Sequence, residues 1–155
     1  MKLYNINSMQ HINDEYSGYI GFIPLKDEPN FLTNKPTIIK KLNNFLNIPQ
    51  DKKTDIKKYL ILCNKIKTKK KIIILVPGRC FDKYGNRKGR GYGWYDRFLS
   101  KLPKKFIKIG LSLPINMNEV IKTKKHDQRM DQILLLKNNK WETIFDSTKK
   151  KHIQI

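Results

Sequence analysis

The chain has 155 residues, 39% of them hydrophobic, with aromatics spread along its length; this suits one domain with its own core and excludes an intrinsically disordered chain. Lysine and arginine number 33 against 13 aspartates and glutamates, a formal charge of +20, which attracts polyanions. The lysines lie in plain loops such as Lys67–Lys71 and Lys149–Lys151; they form no single basic helix and accompany no nucleic-acid motif, so most are read as solvated and nucleic acid is not the expected partner. Cys63 and Cys80 have neither metal spacing nor a disulfide framework and are expected as buried, reduced thiols. The opening residues lack a signal-peptide core, and the longest apolar run, Ile72–Val76, is too short to span a membrane. The expected location is therefore the cytoplasm.

In chain order, Met1–Glu15 is polar, aperiodic and expected to be mobile. Tyr19–Ile23 reads as a strand stopped by Pro24, followed by a polar turn from Lys26 to Pro29. Lys35–Leu46 predicts an amphipathic helix, with Ile38, Ile39, Leu42, Phe45 and Leu46 on one face, Thr33 or Asn34 as cap and Pro36 in the first turn. Asp55–Cys63 fits helix or strand. Ile72–Val76 is a continuous β-branched and apolar run, the pattern of a strand covered on both faces. A long glycine- and arginine-rich loop, Pro77–Gly93, precedes a helix over Trp94–Leu102. Phe106–Leu111 predicts a strand, and Met130–Leu136 with Lys140–Phe145 a hairpin turning at Asn138–Asn139. The alternation of strand and helix predicts a single-domain α/β sandwich over residues 1–155, with a mostly parallel central sheet flanked by helices.

Chemistry concentrates in Val76–Leu99, VPGRCFDKYGNRKGRGYGWYDRFL. Gly89, Gly91 and Gly93 alternate with Arg90 and Tyr92 between a buried strand and a helix. Such glycines let a ligand approach the backbone closely, and successive free N–H groups make an anion nest. Arg87 and Arg90 add fork-shaped donors for phosphate or carboxylate. Asp96, in the first helical turn, can hold a Mg²⁺ that bridges to phosphates. The spacing matches neither the Walker nor the Rossmann form, and alternating glycines alone describe many basic surface loops.

The segment resembles the motif of the 5-formyltetrahydrofolate cyclo-ligase family, V-P-G-x-x-F-D-x-x-G-x-R-L-G-x-G-x-G-Y-Y-D-R. Val76, Pro77, Gly78, Phe81, Asp82, Gly85, Arg87, Gly89, Gly91, Gly93, Tyr95, Asp96 and Arg97 match, while Lys88 replaces Leu and Trp94 the first Tyr. Phe22–Leu25 with Glu28 is similar to the family's folate-contacting turn, and His126–Asp131 to its closing H-D-x-x-x-D pattern. The resemblance implies an enzyme that phosphorylates the formyl oxygen of 5-formyltetrahydrofolate with ATP, after which N10 closes the ring and phosphate leaves. It implies ATP contacts from Arg87, Lys88, Gly89, Arg90, Gly91, Tyr92, Gly93, Trp94 and Tyr95. Folate contacts are implied for Glu28, Arg90, Gly91, Tyr92, Gly93 and Trp94, catalytic roles for Arg90 and Tyr95, and a Mg²⁺ site at Asp96 and Asp131. Asp82 is expected to turn the loop or pair with an arginine, His126 to be structural and Asp127 to be solvated beside Asp131. The expected state is a monomer.

Two departures from the family stand out: the basic K-x-x-x-R helix that usually opens the fold is not seen, which would uncover a sheet face, and Pro49–Ile72 is short, without an E-P motif. They leave two alternatives open: a reduced homologue that binds folate or nucleotide without turnover, and, from the charge, a basic RNA-binding protein.

Overall fold

In the computed structural model, which describes residues 15–51, 53–89, 93–124 and 127–148, the apolar runs assemble into one six-stranded sheet and a small two-stranded one. The large sheet contains β1 (Tyr16–Phe22), β2 (Asn43–Ile48), β3 (Lys71–Val76), β6 (Phe106–Ser112), β7 (Gln132–Lys137) and β8 (Lys140–Asp146). Its order is β2-β1-β3-β6-β7-β8. All neighbours run parallel except β8, which returns antiparallel to β7. The return is the expected hairpin: Asn138 and Asn139 take φ of 52° and 61°, the paired positive values that suit a two-residue turn.

Two helices, α1 (Ile56–Asn64) and α2 (Trp94–Ser100), cover one face. There Cys63, Phe98 and Leu99 pack on Ile20, Phe22, Ile72, Ile74 and Val76. The ambiguous Asp55–Cys63 segment is helical because Asp55 caps it, accepting from the Lys57 amide at 3.0 Å. On the opposite face Ile73, Leu75, Ile109 and Leu111 meet Phe31, Ile39 and the partly buried Ile38 and Leu42. The centre of that face is buried, contrary to the expectation of an uncovered sheet. Strand Ile72–Val76, buried on both sides, is the spine of the fold.

The helix expected over Lys35–Leu46 is corrected. Only Thr37–Ile39 turns, as a 3₁₀ segment, and the chain then extends into β2 along the sheet edge. Asparagine side chains compete with helical backbone bonding here: Asn44 Oδ1 accepts from the Leu46 amide at 3.1 Å, and Asn44 Nδ2 donates to Asn47 Oδ1 at 3.0 Å. Pairing with β1, from Gly18 opposite Asn43 to Phe22 opposite Ile48, completes the switch. The Pro77–Gly93 loop likewise contains a small hairpin, β4 (Cys80–Phe81) with β5 (Arg87–Lys88). Among the described residues no helix is long and apolar enough to cross a membrane.

Candidate active site

From β1 the chain crosses to β2 at one edge, whereas β3, β6 and β7 extend the sheet the other way. The order therefore reverses between β1 and β3, and in open parallel sheets ligands bind beyond the carboxyl ends of strands at such a point. A cavity of about 520 Å³ opens there. Leu25 from the exit of β1 lines it, with Pro49, Gln50 and Asp51 from the exit of β2. Arg87, Gly89, Gly93 and Trp94–Arg97 form the other wall.

The second wall is held from behind by Asp82. This carboxylate is fully buried and accepts from the amides of Tyr84 (2.9 Å), Asn86 (3.0 Å) and Ile121 (2.9 Å) and from Asn86 Nδ2 (2.9 Å). Burial opposes its ionisation, but those hydrogen bonds outweigh burial and hold the carboxyl below its usual range. Of the two roles expected for it, Asp82 thus takes that of turning the β4–β5 loop. Arg87 lies against the cavity floor, 5% exposed, with Nε donating to the Pro77 carbonyl at 2.7 Å and Cζ 4.6 Å from the Tyr95 ring centre. Burial pulls its pKa down, and the charge of Asp96, followed by Tyr95, Glu28 and Cys80, works the other way. Gly89 lies over the guanidinium: a Cβ there would come within 3.2 Å of Arg87 Nη2. Gly93 takes φ of 64° where the loop enters α2.

Trp94 faces the cavity with its indole fixed: Nε1 donates to the Thr54 carbonyl at 3.2 Å, and the ring stacks on Phe98 at 5.1 Å. Tyr95 donates its hydroxyl to Gln50 Oε1 at 2.5 Å. Gln50 Nε2 in turn donates to Glu28 Oε1 at 2.6 Å and to the Ile23 carbonyl at 2.9 Å. Glu28 is 7% exposed and does not line the cavity; it sits behind Gln50, where it also accepts from the Leu25 amide at 3.0 Å.

The expected site residues therefore divide. Arg87, Gly89, Gly93, Trp94, Tyr95 and Asp96 are brought together. Lys88 is exposed on β5 and not among the lining residues. Arg90, Gly91, Tyr92 and His126 lie outside the described residues. Asp131 is not brought to Asp96. Its Oδ2 accepts from the Lys108 amide at 2.8 Å and its own amide donates to the Lys108 carbonyl at 2.8 Å. It thus prolongs the β6–β7 ladder at the amino end of β7, away from the cavity. Burial, then the charges of Glu15, Asp146 and Asp131, push the phenol of Tyr16, at the start of β1, up to about 12. The residue that does reach Asp96 is Gln128, whose amide donates to Asp96 Oδ1 at 3.2 Å. Among the described residues no group of three histidines, cysteines or carboxylates converges as a metal cage. Sequence reasoning missed Pro49, Gln50 and Asp51. Placing β2 correctly would have found them, since it carries them to the carboxyl end of the sheet.

Residues 38–136 match the profile of the 5-formyltetrahydrofolate cyclo-ligase family. The chain is 39% identical over 67 residues to a probable 5-formyltetrahydrofolate cyclo-ligase of Caenorhabditis elegans, and 35% over 66 residues to a 5-formyltetrahydrofolate cyclo-ligase of Mus musculus. Each match covers 40% of this chain and spans only 32% of the relative's length. In fold it is similar to the 5,10-methenyltetrahydrofolate synthetase of Aquifex aeolicus (TM-score 0.54, 18% identity, covering 91% of this chain and 78% of that one). It is also similar to that of Mycoplasma pneumoniae (TM-score 0.52, 21% identity, covering 83% and 80%). The family profile takes in most of the chain, from β2 through β3, the glycine-rich wall and β6, and with it every cavity-lining residue named above except Leu25, and on this ground the chain belongs to the 5-formyltetrahydrofolate cyclo-ligase family.

Proposed function

We propose that this chain closes 5-formyltetrahydrofolate to 5,10-methenyltetrahydrofolate at the expense of ATP. The observation that carries this reading is the two-sided cavity. One side offers Arg87, Arg97 and glycine backbone; the other offers an apolar and amide surface of Leu25, Pro49 and Gln50. A polyphosphate suits the first side, through cations and close backbone approach. A heteroaromatic ring carrying N–H donors suits the second, where the Asp51 and Glu28 carboxylates would repel phosphate.

A formamide oxygen is a poor leaving group until it is phosphorylated. The protein's work is to hold the γ-phosphate in line with that oxygen and to neutralise charge as it moves. Arg87, locked by Pro77 and Tyr95, supplies an immobile cation that needs no reorganisation during transfer. Arg90 is assigned a contact to the transferring phosphate through its fork of donors. Trp94 and Tyr95 are assigned to flank the folate ring from the cavity wall. Asp96 fits a Mg²⁺ ligand: it is half-buried on the cavity wall with one oxygen held by Gln128, and Mg²⁺ in nucleotide sites takes one or two carboxylates plus phosphates. The ion would neutralise phosphate charge.

Purified protein mixed with ATP, Mg²⁺ and 5-formyltetrahydrofolate is expected to develop the near-ultraviolet absorbance of the methenyl product, and only when ATP is present. Absorbance that stays flat overturns the reading; folate binding without product would assign the chain to binding alone.

A further inference from the structure

We infer that Gln50 is the positioning residue of the folate side of the cavity, locking the Glu28 carboxylate and the Tyr95 phenol into one hydrogen-bonded unit. The inference rests on the cyclo-ligase reading above. Gln50 follows β2 directly, and the exits of β1 and β2 are tied by the Ile23 amide donating to the Ile48 carbonyl at 2.9 Å. Its amide orientation is settled by its partners. One terminal atom lies 2.9 Å from the Ile23 carbonyl and 2.6 Å from Glu28 Oε1, both acceptors, so that atom is the NH₂ group. The other is the carbonyl, and the Tyr95 hydroxyl must give its proton to it at 2.5 Å.

Three consequences follow. Tyr95 spends its proton on Gln50, so toward any other group the phenol acts through its lone pairs, as an acceptor. Glu28, which does not line the cavity, acts on its contents through Gln50. The unit also ends on Arg87, whose guanidinium stacks on the Tyr95 ring at 4.6 Å; one amide thereby sets the phenol between the folate side and the phosphate side. A ring bearing N–H donors meets a fixed set of acceptors there, whereas a polyphosphate gains nothing from it.

The test is steady-state kinetics of the full chain. In Gln50→Ala the KM for 5-formyltetrahydrofolate should rise about tenfold, the cost of one lost charge-assisted contact, with the KM for ATP within about twofold of wild type. Gln50→Glu separates positioning from mere support. Beside Glu28 the new carboxyl shares one proton, which raises its pKa. Below that pKa it donates to Glu28 and accepts from Tyr95; above it, two carboxylates repel. The folate KM of Gln50→Glu should therefore be near wild type at about pH 6 and rise roughly tenfold by about pH 8, while the wild-type KM changes little over that range. Circular dichroism at both pH values checks that the same folded protein is compared. A Gln50→Ala enzyme that matches wild type, one whose two KM values rise together, or a Gln50→Glu KM independent of pH overturns the assignment while leaving the cyclo-ligase reading intact. A wild-type protein that makes no methenyl product overturns that reading itself, and the assignment with it.

Discussion

The two walls of the cavity are built in opposite ways. The wall from β3 to α2 is largely made by neighbours in sequence: Arg87 reaches back ten residues to Pro77, and Asp82 turns its loop through residues two and four positions on. The facing wall is made by partners far apart, with Gln50 bonded to Glu28 across 22 residues and to Tyr95 across 45. The first wall presents backbone and cations to the cavity, the second an oriented amide. A local wall carries its purpose in composition, because glycines and arginines are chosen for what they do. A long-range wall has its purpose only once topology has delivered ordinary residues to the same place.

The largest expected effect lies on the local wall. Asp96→Ala should lower turnover by about 10²–10³-fold or more, the scale on which charge-stabilising groups act in phosphoryl transfer. Its structural cost should be small, about 1 kcal/mol for the Gln128 amide that loses its acceptor. Product absorbance and a thermal melt on the same sample check both. Turnover close to wild type would remove the metal-holding role and leave Asp96 a support for the 127–128 segment.

Gly85 belongs to the same motif, but its reason is packing. It takes φ of 90°, and a Cβ there would stand 2.5 Å from Phe145 Cε2 on β8. Gly85→Ala should cost about 3 kcal/mol in denaturant unfolding, from the left-handed backbone together with overpacking. A loss under 1 kcal/mol would mean that β8 gives way freely.

What was legible follows the same division. Ile72–Val76 announced a buried strand, Trp94–Leu102 a helix and Asn138–Asn139 a hairpin, each from residues within one element. Lys35–Leu46 misled because Ile38, Ile39, Leu42 and Phe45 fall at helical spacing, while its asparagines and the waiting edge of β1 favoured extension. That error hid Gln50, a residue whose type signals nothing alone. Asp131 was misplaced for a related reason: spacing in a motif says which carboxylates recur, not which end of a sheet they occupy.

Ile39 and Phe45 convert that misreading into a measurement. A helix over Lys35–Leu46 would bury both on one face and make their truncations comparable. In the fold Ile39 is fully buried against Ile73 and Leu75, while Phe45 is 38% exposed on the edge strand. Ile39→Ala should cost about 3 kcal/mol, and Phe45→Ala, with part of its ring already in water, about 1 kcal/mol. Equal losses in urea unfolding would restore the helix.

The smallest expected effect tests whether the local wall's glycines serve the chain or the ligand. Gly93 has φ of 64°, and among the described residues a Cβ there would meet only Arg97 Nη1, at 3.6 Å, an ordinary contact. The described residues leave space for it, and Gly93→Ala should lose about 1 kcal/mol from the left-handed backbone. Gly93→Asn should lose less despite its larger side chain, because asparagine tolerates this conformation better. Stability thus ranks glycine, asparagine, alanine if conformation is the requirement. Yet Gly93 also lines the cavity, and a backbone that must touch phosphate penalises bulk. The KM for ATP would then rank glycine, alanine, asparagine, the reverse order for the two variants. Both orders in the same pair of proteins would show one glycine serving turn and ligand together. An ATP KM that follows the stability order would leave Gly93 a turn residue, and close approach to the phosphates would fall to Gly89 and Gly91.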